Sequence, residues 1–443
     1  MEEGLESSAV EILRSLIRED TVNPPGNERA LQERLAAMLT EAGFECELLA
    51  VEPERPNLVA RLRGGGDGPT LAYLGHVDTV RADPGEWSRD PWCGDLEDGW
   101  VWGRGALDMK GQVAAELAAG LDLARSGWRP KGELLLVITA DEEAGGALGA
   151  RWLCENHADR VRCDFAVNEG GGSSIAMGDR RLYTLSVGEK GIFRIKLRVA
   201  GRAGHASLPK VGDNALLKLA SLIAKLEAQP PLQANDVGLA FLSVVTGRDL
   251  TGDAGLRTGL DAMRAQGAEN ALLADLLVEP MMGITMTPTK AQAGEKANVI
   301  PSSGEVLIDT RIPPGLGEAE ALEALEALLG QGAGEDTYAV EFSEAVSGNQ
   351  SEFDTQLRDS IGEWLAGAEP DGELAPIVMP GFSDSHWFRK AFPDAVVYGF
   401  CPHREIELLQ QAPLIHGADE RVPAADIGLA AGFFRDLARK VLA

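Results

Sequence analysis

The sequence predicts an α/β fold interrupted by an inserted α+β segment, and three observations carry that expectation. Short apolar runs near residues 57–62, 70–74, 134–139 and 164–168 alternate with helical periods, as in a sheet with crossover helices. Several of these runs end in His, Asp or Glu, the place where open α/β sheets hold their ligands. From Gly191 the texture changes, with Phe193, Ile195, Leu197 and Val199 alternating with Arg194, Lys196 and Arg198 as in a strand with one wet face. At 443 residues the chain exceeds one ordinary core. The boundaries read from these shifts are 1–188 for the first part of the α/β domain, 189–346 for the insertion and 347–443 for the second part.

Residues 9–17 keep a helical period that the loop at 21–28 breaks with two prolines. The period resumes over 30–42, and Gly43 stands where a C-terminal cap is expected. The runs at 57–62 and 70–74 read as neighbouring strands across a Gly-rich turn. Residues 100–111 are glycine-dense and lead into an apolar helix over 112–125. Within the insertion the strand from 191 is followed by Gly201-Arg202-Ala203-Gly204-His205-Ala206-Ser207 and an amphipathic helix at 215–227. Strand and helix recur at 305–311, 318–329 and 338–342, with 230–283 as a further insertion within that unit. The α/β texture returns with a helix at 357–365, a strand at 375–379 and a last helix beyond residue 420.

Hydrophobic residues make up 44% and charged residues 25% of the chain, the profile of a soluble globular protein. The formal net charge of -28 opposes binding to nucleic acid or an anionic membrane, whose phosphates require an excess of Lys and Arg. The five cysteines are scattered without CxxC pairing and read as reduced thiols. Residues 1–4 have neither a basic nor an apolar signal region, so a cytoplasmic location is expected.

The stretch at 71–80 delivers His76 and Asp78 to its own end, and positions i and i+2 share a strand face. Asp78 can fix the His76 ring while His76 holds a metal, although a buried histidine satisfied by its neighbour reads the same way. Asp108 falls just before a helix, where it suits a cap as well as a ligand. Asp141, Glu142 and Glu143 crowd three acids at a strand end, which is costly without a cation. Glu169 and His416 occupy similar loops. His76, Asp108, Glu143, Glu169 and His416 are separated by whole supersecondary units that a parallel sheet would bring to one edge. Two imidazoles and three carboxylates suit two zinc ions, with one carboxylate bridging metals roughly 3.5–4 Å apart. Cobalt or manganese could substitute in such N/O sites.

The ordered set Gly75-His76-Val77-Asp78, Gly103-Arg104-Gly105-Ala106-Leu107-Asp108-Met109-Lys110-Gly111, Asp141-Glu142-Glu143 and His416-Gly417 resembles the aminoacylase/carboxypeptidase family of dinuclear zinc amidohydrolases. That family includes acetylornithine deacetylase, succinyl-diaminopimelate desuccinylase, glutamate carboxypeptidase and carboxypeptidase S. The resemblance implies a zinc-exopeptidase-like catalytic domain with an inserted ferredoxin-like lid and dimerisation domain. It makes Asp108 the bridge, His76 and Glu169 the ligands of one zinc, and Glu143 and His416 those of the other. It also implies a strained or cis Asp108–Met109 bond. Glu142 would be the general base acting on metal-activated water, Asp78 would orient His76, and His205 would stabilise the oxyanion. Asn298 and Arg311 match lid residues that hold substrate, and a guanidinium suits a free α-carboxylate.

Where many members have Gly-Gly-Thr-Ser-Asp, this chain has Pro380-Gly381-Phe382-Ser383-Asp384-Ser385-His386-Trp387, which nominates Gly381, Ser383 and His386 as pocket residues. With residues 21–28 and 102–108, that loop is more similar to the carboxypeptidase S branch than to the desuccinylases. The implied reaction is hydrolysis of an N-acyl amino acid or of the C-terminal bond of a small peptide. The alternatives are a deacetylase or desuccinylase of the acetylornithine and succinyl-diaminopimelate type, or a dipeptidase. A non-catalytic metal-binding scaffold is disfavoured because Glu142 is in place. The resemblance further implies a homodimer through the inserted domain, with His205 reaching the partner's site. His157 and His403 read as structural or surface residues.

Overall fold

A computed structural model describes residues 2–330 and 338–443, and the chain divides into two compact units. The first comprises 1–187, 350–377 and 383–443; the second comprises 188–349 and 378–382. The segment 189–346, read from sequence as an insertion, lies within the second unit.

The first unit is built on a mixed sheet. Nine of its eleven described strands run in the order Glu45–Leu49, Asn57–Leu62, Glu133–Thr139, Thr70–His76, Phe165–Asn168, Val396–Gly399, Arg180–Glu189, Ser173–Met177 and His403–Glu407, and the other two, Asn349–Gln350 and Gly372–Met379, pair with Arg180–Glu189. Glu133–Thr139 is buried from Leu134 onward, as expected of a strand covered on both faces. It therefore takes an interior position, antiparallel to Asn57–Leu62 and parallel to Thr70–His76. This corrects the reading of 57–62 and 70–74 as paired neighbours, because sequence adjacency does not fix order in a crossover sheet. Glu45–Leu49, with its half-exposed pattern, and the hairpin of Ser173–Met177 with Arg180–Glu189 were not anticipated.

Lys110–Arg125 is buried on nearly every side, which its run of alanines permits. It packs against Glu2–Ile17 and Ala424–Val441. A Cβ on Gly75 would sit 2.7 Å from Val113 Cγ2, so glycine at this position lets the strand carrying His76 approach that helix closely.

The second unit contains an antiparallel sheet in the order Thr285–Ala293, Ser303–Ile312, Gly191–Ala200 and Ala339–Val346. Phe193, Ile195, Leu197, Val199, Val306 and Ile308 form its core with Leu219 of Ala215–Lys225 and Leu325 of Glu318–Leu329. Arg198 bridges Glu305 and Glu341 among exposed groups, an arrangement worth little in stability. The 230–283 insertion is helical, led by Asp236–Thr246 and Gly252–Arg264. Thr285–Ala293, missed from sequence, completes the sheet; Pro288 and an exposed pattern mask its strand character. Among the described residues no helix is long and apolar enough to cross a membrane.

Candidate metal centre

Parallel pairing brings the strand ends of the first unit together. His76 stands opposite Thr139, just before the 141–143 acids, and Phe165–Asn168 ends immediately before Glu169. Asp108 precedes Lys110–Arg125 but does not cap it, since the N-cap position is Met109 and no side chain bonds there. The Asp108–Met109 peptide bond is cis. Instead of capping, the Asp108 carboxylate faces both imidazoles, with Oδ1 at 3.2 Å from His76 Nε2 and Oδ2 at 3.0 Å from His416 Nε2.

Two ligand triads result, His76–Asp108–Glu169 and Asp108–Glu143–His416, each with its donor atoms within 4.8 Å of one another. His416 Nε2 lies 3.2 Å from Glu143 Oε2. Glu142 joins neither triad, yet its Oε2 is 3.8 Å from His76 Nε2. All of these residues belong to the first unit. His76 Nδ1 lies 3.0 Å from the Asp78 carbonyl, which can only accept. Nδ1 therefore carries a proton, which leaves Nε2 as the ring atom facing Asp108 and the one that would bind a cation.

Asp78 organises the acidic turn. Its Oδ1 accepts the Glu142 N–H and its Oδ2 accepts the Glu143 N–H and the Asn23 amide. Asn23 also donates to Asp141, which pairs with Arg55, whose guanidinium bonds Glu28 as well. Arg55 was not singled out from sequence, Asp141 was noted only as one of three crowded acids, and the loop holding Asn23 and Glu28 read as a helix breaker and a branch resemblance, with no role for either side chain. Asp384, which accepts from Thr139 Oγ1 at 2.7 Å, was likewise passed over within its loop. Glu420 and Arg104, a buried pair 2.7 Å apart, were also missed. The one available signal was their lodging inside motifs already chosen for other members.

Electrostatics mark the cluster as short of positive charge. Burial and then the Glu169 charge push the Glu142 carboxyl well up, while burial and then Asp108 do the same to Glu169. Burial opposes ionisation of Asp108, but the facing His416 and His76 imidazoles hold its carboxyl well below the usual range. The Asp108 and Glu143 carboxylates raise His416 to about 10. A donor set of imidazoles and carboxylates of this kind fits two divalent ions.

The other expected residues are distributed as follows. His205 is exposed on the short strand Gly204–His205, paired with Val299–Ile300, and its Nδ1 lies 2.7 Å from Ser207 Oγ. Asn298 is exposed beside it, its carbonyl accepting the Ala206 N–H. Arg311 donates from Nε to Asp309. His205, Asn298, Arg311 and Gly381 belong to the second unit, Ser383 and His386 to the first. Ser383 is fully buried and accepts from Asn168 and from the Ser385 N–H. His386 is buried against Trp387, and burial followed by Lys390 and Arg389 lowers it to about 4, so it is neutral near pH 7. His157 packs edge-on against Trp152, and His403 is buried 3.9 Å from Asp426.

The profile of peptidase family M20/M25/M40 matches residues 72–440. A succinyl-diaminopimelate desuccinylase of Wolbachia pipientis subsp. Culex pipiens is 33% identical over 222 residues, covering 49% of this chain and 53% of that protein. A desuccinylase of the same name from Xanthobacter autotrophicus is 38% identical over 223 residues, covering 48% of this chain and 56% of that protein. The chain thus spans little more than half the length of these curated relatives. The crystal structure of an M20 family metallo-carboxypeptidase from Sulfolobus solfataricus has a similar fold, with a TM-score of 0.71 at 15% identity over 98% of this chain and 99% of that one.

Proposed function

Because the chain belongs to peptidase family M20/M25/M40, we propose that it is a two-metal hydrolase of amide bonds whose substrate presents a free carboxylate. The observation that carries this reading is the pair of triads sharing Asp108, with the Glu142 carboxyl beside them but in neither. Two Zn2+ ions per chain are assigned to His76–Asp108–Glu169 and Asp108–Glu143–His416, with Co2+ or Mn2+ as substitutes. When bound, such cations acidify water and polarise the scissile carbonyl.

The chain's own groups supply the remainder. Glu142 is the proton shuttle, taking a proton from the attacking water and returning it to the leaving nitrogen. Asp78 holds the His76 ring and the backbone of the acidic turn. Arg311 is assigned to the substrate α-carboxylate, Asn298 to holding the substrate, and His205 to the carbonyl oxygen, where an added donor counts most as negative charge develops. Gly381, Ser383 and His386 are assigned to the pocket wall. His205 is exposed, and we assign it to the neighbouring site of a homodimer formed through the second unit. A cytoplasmic location completes the reading.

The substrate is an N-acyl amino acid or a small peptide cleaved at its C-terminus. A desuccinylase reading is favoured by the curated relatives, which carry that name. A metal-supplemented screen of N-acetyl, N-succinyl and longer N-acyl amino acids beside dipeptides separates the two. Turnover is expected to fall steeply when the α-carboxylate is amidated. Indifference to amidation would overturn the Arg311 assignment, and a protein inert to the whole panel would overturn the hydrolase.

A further inference from the structure

Glu420 has no relative surface exposure, and a carboxylate in that position is sustained only by a full set of partners. Its Oε2 accepts from Arg104 Nη1 at 2.7 Å and from the Gly105 N–H at 3.0 Å. Its Oε1 accepts the Leu107 N–H at 2.7 Å and the Asp108 N–H at 3.1 Å. Every one of these donors lies in the loop that carries Asp108. Arg104 reaches in the opposite direction, donating from Nη2 to the carbonyls of His416 at 3.2 Å and Gly417 at 2.9 Å. The Glu420 carbonyl accepts the Gly103 N–H, so the two loops are also joined through backbone.

The two triads differ in what else holds them. His76 is almost fully buried at the end of a paired strand, and Glu169 directly follows another. The His416 side chain is 52% exposed, and its backbone has φ of 60°, a left-handed conformation unusual for a non-glycine residue. No strand ladder holds His416: its backbone stands in a turn closed by the Ile415 N–H on the Gln411 carbonyl and the Gly417 N–H on the Leu414 carbonyl, and Arg104 ties that turn to the loop carrying Asp108.

We propose that Glu420 and Arg104 are positioning residues that set the cation affinity of the Asp108–Glu143–His416 subsite. This rests on the two-cation reading of the site. Groups that orient metal ligands are worth about 10- to 100-fold in affinity. Loosening the pair should therefore weaken the His416 subsite by about that factor, with a much smaller effect on the His76 subsite, which shares only Asp108.

The test is calorimetric titration of Zn2+ into metal-free wild type, Glu420→Gln and Arg104→Lys, alongside thermal unfolding of each metal-free protein. Wild type should take up two equivalents in two affinity classes, and both variants should lose affinity in one class. Arg104→Lys keeps the buried charge pair but not the fork, so it carries the test should Glu420→Gln fail to fold. Two equivalents in every protein with both affinities unchanged, or both reduced together in step with lost stability, would overturn the assignment alone. A wild type that binds one equivalent would overturn the two-cation reading and this assignment with it.

Discussion

Glu142 and Glu143 are neighbours in sequence with different work to do. Glu143 faces His416 in a triad, whereas Glu142 lies beside His76 and outside both triads. Glu142→Gln should therefore keep the metal content and fold of the wild type while lowering kcat by about 10²- to 10⁴-fold, checked by metal analysis beside steady-state kinetics. The Asn23 amide is held between Asp78 and Asp141, both buried. Asn23→Ala leaves two buried carboxylates short of a donor and should cost about 1–3 kcal/mol, measured by denaturant unfolding. At this scale the sequence was legible where residue type coincides with placement at a strand end, as for His76 and Glu169, or just before a helix, as for Asp108, which the fold brings together. It was illegible where a side chain acts through another. Asn23, Arg55 and Glu420 become meaningful only once remote segments meet, and nothing in their local sequence records the partner.

Elements with a clean period were read correctly, as the helix Arg29–Ala42 with Gly43 at φ 104° and the strand Gly191–Ala200 illustrate. Elements were lost where exposure or proline blurs the period, as in Glu45–Leu49 and Thr285–Ala293. Phe193→Ala, in the core of the second sheet, should destabilise by about 3–5 kcal/mol through the cavity it leaves. Lys190, fully buried at the start of that unit, donates to the carbonyls of Pro280 and Gly283, both at 2.7 Å, tying the end of the helical insertion to the sheet. Burial, then the Arg311 charge, depresses Lys190 from 10.5 to about 7. Between about pH 7 and 10.5 the unfolded chain therefore binds more protons at this residue than the folded one, so its contribution to stability rises with pH across that window. Lys190→Met abolishes the titration. The stability of wild type measured relative to the variant should rise from pH 7 to pH 9, and a difference constant with pH would mean that Lys190 stays charged in the fold.

For the molecule as a whole, cations bound only by the folded state add to its stability by mass action. Free Zn2+ at a hundredfold over Kd contributes about 2.7 kcal/mol per site, so chelation should lower Tm and added Zn2+ should restore it. If His205 acts across a dimer, mixing His205→Ala with Glu142→Ala should regenerate activity after subunit exchange. Heterodimers confirmed by mass but inactive would place His205 outside the neighbouring site. The sheet of the first unit also bears on how the chain is made. Val396–Gly399 pairs in parallel with Phe165–Asn168, yet the entire second unit is translated between them. The emerging chain must therefore wait with one flank of Phe165–Asn168 unpaired, and with Tyr73 lacking the Phe434 carbonyl to which it donates. An open strand flank is a template for association. A chain halted near residue 390 is thus expected to aggregate or remain with a chaperone, and the segment from Val396 onward acts as the closing stave of a sheet begun far upstream.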